Sequence, residues 1–95
     1  MIKIERFNEE IINNMRQMAK NNKSLSDILQ YLIDSLHLNK YSRFTAVINF
    51  RAAFPIGLSY AKDIGAWDFF DGGTWSIDML ENRLQPKIDE IIDKI

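Results

Sequence analysis

Apolar side chains recur along this chain at steps of three and four residues, the period that gives a helix one apolar face. Over residues 7–20 the stripe is Phe7, Ile11, Ile12, Met15, Met18 and Ala19. Asn8, followed by Glu9 and Glu10, puts a capping side chain and two carboxylates at the positive end of that helix's dipole. Asn21-Asn22-Lys23 reads as a stop and turn. Ser24 then opens a second helix, with Asp27 at the reach-back position of a capping box. Its stripe of Leu25, Ile28, Leu29, Leu32, Ile33 and Leu36 is the most regular in the chain, and His37-Leu38-Asn39-Lys40-Tyr41 interrupts it.

Ser42 is placed to cap a third helix running to Phe54, with Phe44, Val47, Ile48, Arg51 and Ala52 on one side. Val47-Ile48-Asn49-Phe50 also suits a short strand, because β-branched and aromatic residues favour one. The flanking alanines and the length of the segment favour the helix. Pro55 ends it. Gly57-Leu58-Ser59 leads into a short fourth helix over residues 59–64, which Gly65 is expected to stop. Thr74 or Ser76 caps a last helix carrying Ile77, Leu80, Leu84, Ile88, Ile91, Ile92 and Ile95. Pro86 falls inside that pattern and predicts a kink or a break into two helices. Five helical pieces with short connections and no convincing strand predict a compact all-α fold, one domain over residues 1–95.

Between the fourth and last helices lies Gly65-Ala66-Trp67-Asp68-Phe69-Phe70-Asp71-Gly72-Gly73-Thr74-Trp75, a turn-forming segment dense in large aromatics. Such a loop either anchors itself to its own core or presents a contact surface. Trp67 and Trp75 are placed to anchor, and at least two of the four aromatics are expected to be buried. Phe70, beside Asp71-Gly72-Gly73, is the expected exposed one.

Composition narrows the function classes. A hydrophobic fraction of 46% with 26% charged residues excludes a disordered chain. The absence of cysteine excludes disulfides, thiolate chemistry and zinc–cysteine sites, and favours a reducing compartment. The first seven residues carry charges and no signal-peptide core, and no segment approaches the roughly 18 apolar residues of a membrane span. A cytoplasmic, soluble protein without membrane contact is the expectation. Net charge is −1, but nine Lys/Arg against six Asp/Glu in residues 1–65 give way to three against seven in residues 66–95. The acidic part begins at the aromatic loop, a bias that bears on partner choice rather than fold.

Candidate chemistry is sparse. His37 is the only histidine and sits where a helix ends, so no histidine pair exists for a metal or a proton relay. The pairs Asp68/Asp71 and Asp78/Glu81 have three-residue spacing, but no nucleophile or phosphate-binding loop accompanies them. The expectation is therefore no catalytic residue, no metal, no cofactor and no enzyme activity. Ser24–Leu29, a turn and the third helix also suggest a helix-turn-helix-like nucleic-acid-binding or regulatory module. The near-neutral charge and the apolar character of the third helix argue against it. Arg51 is expected to form a structural ion pair with an acidic residue of the last helix.

The run Phe50-Arg51-Ala52-Ala53-Phe54-Pro55-Ile56-Gly57-Leu58-Ser59-Tyr60-Ala61-Lys62-Asp63-Ile64 resembles the helix-loop-helix of the ribosomal stalk protein's C-terminal domain. With the acidic, aromatic segment that follows, it also resembles small bacterial toxin-immunity proteins. That second resemblance implies a single non-catalytic domain that blocks a cognate toxin by binding it. An acidic, aromatic surface suits a basic toxin domain, since carboxylates steer association and aromatics dominate interface energetics. The expected partner-binding residues are Asp68, Phe70, Asp71, Asp78 and Glu81.

Overall fold

A computed structural model describes residues 8–95; Phe7, and the reading of the first seven residues as free of a signal peptide, lie outside that range. The described residues are all-α: α1 Glu9–Lys20, α2 Leu25–Ser35, α3 Arg43–Ala53, α4 Leu58–Ala61 and α5 Ile77–Ile91. A 3-10 turn, Lys62–Ala66, extends α4, and a second, Ile92–Lys94, extends α5. Among these residues no helix is long and apolar enough to cross a membrane.

The expected helix starts are realised by side chains that accept orphan N–H groups of the first turn. Asn8 Oδ1 accepts from Ile11 N at 3.1 Å, and Ser24 Oγ from Asp27 N at 3.2 Å. Ser76, rather than Thr74, caps α5 by accepting from Met79 N at 3.2 Å. Ser42 precedes α3, but its hydroxyl turns back to accept from Asn39 N at 3.0 Å and braces the preceding turn. The helix ends share one device. Asn22 and His37 adopt positive φ, 63° and 52°, directly after α1 and α2. The next amides then reach back into the helix, Lys23 N to Met18 O and Leu38 N to Ile33 O, both at 2.9 Å. This is the Schellman arrangement with non-glycine residues in the left-handed position, and it gives His37 an exposed, terminating role.

α1 packs on both α2 and α3, α2 packs on α5, and α3 carries α4 and its 3-10 turn. One contiguous core results, with Met15, Leu25, Ile28, Leu32, Phe50, Phe54, Leu80, Leu84 and Ile88 at its centre. Its buried α2 residues are those of the predicted stripe. α3 is helical through the strand-compatible segment but buries a different face from the expected one. Ala46, Asn49, Phe50 and Ala53 are buried, whereas Phe44 and Arg51 are exposed. Alanines at that face let α3 approach α1 closely, and Asn49 is tolerated there because its polar atoms are satisfied. Its Oδ1 accepts from Asn8 N at 3.1 Å and its Nδ2 donates to Thr45 O at 2.9 Å.

Two further expectations are corrected. Gly65 does not stop the fourth helix but lies inside the 3-10 turn. A Cβ there would stand 3.2 Å from Val47 Cγ2, so glycine lets this turn sit close against α3. Of the kink or break expected at Pro86, the break into two helices is absent: the last helix runs from Ile77 to Ile91 with the proline inside it. Proline removes one N–H and frees the carbonyl of residue 82; both Asn82 and Pro86 are exposed, on the side of α5 turned away from the core.

Side chains from distant helices finish the remaining ends. Half-buried Arg16 donates from Nε to Ala53 O and from Nη2 to Ala52 O, both at 2.9 Å, closing the C-terminus of α3 with a cation. Gln85 Oε1 of α5 accepts from Leu25 N at the start of α2, at 2.9 Å.

The segment from residue 67 to residue 75 is a closed loop. Thr74 N and Trp75 N both donate to Ala66 O at 2.9 Å, and Asp68 N donates to Trp75 O at 2.7 Å. Inside it, Phe70 N donates to Trp67 O and Gly73 N to Phe70 O. Gly73 is fixed by this crossing, because a Cβ would overlap the carbonyl of Trp67. Gly72 has φ 78° but open space around it. The two glycines are therefore needed for different reasons, which a pair of alanine substitutions separates. Gly73→Ala is expected to cost about 3 kcal/mol by forcing the loop apart, and Gly72→Ala about 1 kcal/mol, the ordinary left-handed penalty. Urea unfolding of both variants checks this; equal costs would mean that the backbone crossing at Gly73 does not form.

Candidate binding surface

The loop aromatics form a small cluster that joins the main core. Trp67 and Phe70 meet edge to face with centroids 5.9 Å apart, and Phe69 lies 5.1 Å from each. Trp67 is buried, Phe69 and Trp75 are half-buried, and Phe70 is only 1% exposed. The expected burial of at least two aromatics holds, but Phe70 is the most enclosed of the four. The closed loop covers Phe70, which lies under it rather than on its rim and presents no surface in this state.

The other four expected contact residues do not form one patch. Asp68 and Asp71 are exposed on the loop. Asp71 lies against the start of α3: its N–H donates to Lys40 O at 2.8 Å, and its carbonyl accepts from Arg43 Nη2. Asp78 is exposed in the first turn of α5. Glu81 is half-buried, and its Oε2 accepts from Ser26 Oγ at 3.1 Å, beside the N-terminus of α2. A carboxylate there is favoured by the helix dipole, so Glu81 also has an internal structural role.

α5 carries two chemically opposite flanks. At about 100° per residue, Leu80, Leu84 and Ile88 make the buried stripe. One side of it bears Asp78, Glu81, Gln85 and Asp89; the other bears Met79, Arg83 and Lys87, with Glu90 beside them. The second side borders an open groove of about 540 Å³ lined by Tyr60, Trp75, Met79, Asn82, Arg83 and Lys87. Arg83 Nε donates to Asp63 Oδ2 in an ion pair, and its guanidinium carbon lies 4.9 Å from the Tyr60 centroid and 5.9 Å from that of Trp75. Lys87 Nζ stands 4.9 Å from the same Tyr60 ring. The ion pair expected between Arg51 and an acidic residue of the last helix does not form among the described residues; in the pair that does form, the arginine belongs to α5 and the acid to the 3-10 turn. Arg51 is exposed on α3. Arg83 and Lys87, one turn apart on the side away from Asp78, Glu81 and Asp89, were the sequence signal for this cluster. Tyr60 was not readable as their partner, because it arrives from a separate element.

The helix-turn-helix alternative gains little from this geometry. Residues 36–42 separate α2 from α3, more than the roughly three or four residues of such a turn. Asn49, the side chain best suited to reading bases, is buried in α3. Among the described residues no group of three histidine, cysteine or carboxylate side chains is arranged to hold a metal ion. The chain matches no protein-family model, no curated protein and no solved structure.

Asp63 is 8% exposed, so removing its partner leaves a carboxylate with little water around it. Arg83→Met is expected to cost about 2 kcal/mol, less than for a fully enclosed pair because the Arg83 side chain is 42% exposed. Adding Asp63→Asn to that variant should recover part of the loss. Denaturant midpoints of the two single variants and the double variant check this, and simple additivity would contradict it.

Proposed function

We propose that this chain is a non-enzymatic binding domain of toxin-immunity type, acting in the cytoplasm by covering a basic protein toxin. The observation that carries this reading is the exposure of three carboxylates, Asp68 and Asp71 on the closed loop and Asp78 in the first turn of α5. Loop closure holds the backbone of the first two, so little ordering cost remains to oppose binding. Their charge suits a cationic partner by speeding encounter and fixing register. Phe70 has no part in this surface. Aromatic contact area beside Asp71 comes instead from Tyr41, which is 71% exposed and follows the residue whose carbonyl receives the Asp71 N–H. Glu81 contributes to the field of the acidic flank while holding Ser26.

The test is co-purification with the basic domain of a toxin encoded beside this gene, comparing the native chain with Asp68→Lys/Asp71→Lys/Asp78→Lys. The triple variant is expected to keep its helical circular dichroism and to bind about 100-fold more weakly. Unchanged affinity would remove the acidic surface from the reading. Salt-sensitive retention of the native chain on duplex DNA would return the nucleic-acid alternative in its place.

A further inference from the structure

The groove on the other flank of α5 is assembled as a receptor for an anion. Asp63 is buried and engages Arg83 through Nε alone. Among the described residues no hydrogen bond is made by either Nη nitrogen of Arg83. A guanidinium held at Nε and laid against two aromatic rings is fixed in orientation, and its remaining donors form the fork that matches an oxyanion. Lys87, one helical turn along, brings a second cation to the same Tyr60 ring. Among the described residues its one ion pair is with Glu90 at 3.7 Å, and the Glu90 side chain is 64% exposed. An exposed pair of that kind holds its partner weakly and gives way to a better anion. Trp75, Met79 and Tyr60 supply apolar walls around these donors, and Asn82 supplies an amide.

We propose that this groove binds an oxyanion, phosphate or carboxylate, carried on a flat apolar body. The anion sits between the Nη edge of Arg83 and Lys87, and the body lies against Trp75 and Met79. The volume of about 540 Å³ suits a small molecule rather than an extended chain. The site is separate from the acidic surface assigned to a protein partner, and it stands or falls independently of that reading.

Titration of the isotope-labelled full chain with phenyl phosphate, phenylacetate and inorganic phosphate tests it by nuclear magnetic resonance. Phenyl phosphate and phenylacetate should shift the Trp75 indole N–H and the Arg83 Nε–H signals saturably at millimolar concentration, on the order of 1 mM, while the buried Trp67 indole stays still. The tighter of the two identifies the anion. Inorganic phosphate should bind at least about fivefold more weakly, because it lacks the apolar contact. Lys87→Gln should weaken phenyl phosphate about fivefold, and Glu90→Gln should strengthen it, by removing a competing carboxylate; neither change touches the Asp63–Arg83 pair. The proposal is overturned by the absence of saturable shifts, by equal affinity for inorganic and phenyl phosphate, or by Lys87→Gln binding as tightly as the native chain.

Discussion

Closure of the loop between Trp67 and Trp75 is the constraint on which the rest of the fold depends. Two amides converge on Ala66 O, and Asp68 N returns to Trp75 O, so the chain crosses itself immediately before α5 begins. Closing a loop costs conformational entropy. The cost is offset here by those hydrogen bonds and by enclosing Trp67 and Phe70 against the core. The consequence is geometric: closure delivers Ser76 as the N-cap of α5 and sets which way that helix faces. With that orientation Leu80, Leu84 and Ile88 enter the core, and Asp78 and Glu81 fall on the opposite side of that stripe from Arg83 and Lys87.

The second principle of this fold is that helix ends are completed by other helices. A chain of this size buries a modest share of its surface, and many of its buried backbone groups belong to helix termini. Arg16 of α1 closes α3, Gln85 of α5 starts α2, and Asn49 of α3 accepts the amide of Asn8, where α1 begins. Each bond fixes a position along the helix axis that apolar packing alone leaves free to slide. Asp63 and Arg83 do the same between the 3-10 turn and α5.

How far the sequence could be read follows from where each signal resides. The face of α2 was legible because its apolar residues have one period and no competitors, and the caps at Asn8, Ser24 and Ser76 were legible because capping is local. α3 was legible as a helix but not in its facing. Phe44, Val47 and Ile48 compete with Ala46, Asn49, Phe50 and Ala53, and the face turned inward is the one that holds Phe50, with two alanines and a satisfied amide beside it. Gly65 and Pro86 carried their usual punctuation and were overruled, one by close packing on Val47 and the other by lying where α5 meets water. At the candidate surface the carboxylates Asp68, Asp71 and Asp78 were legible as exposed charge. The burial of Phe70 was not, since it follows from a backbone crossing that only Gly73 permits and that no local pattern encodes.

The 67–75 loop belongs to the core's cooperative unit rather than being an appendage of it. Native-state amide hydrogen exchange at Asp68 and Trp75 tests this most directly, because both amides are bonded only if the crossing is formed. Amides in the cooperative core open only with global unfolding, whereas detached loops open at almost no cost. Asp68 and Trp75 are expected to exchange with an opening free energy equal to that of Phe50 in α3. Exchange of these two amides at rates typical of an unprotected loop, with Phe50 still protected, would contradict it.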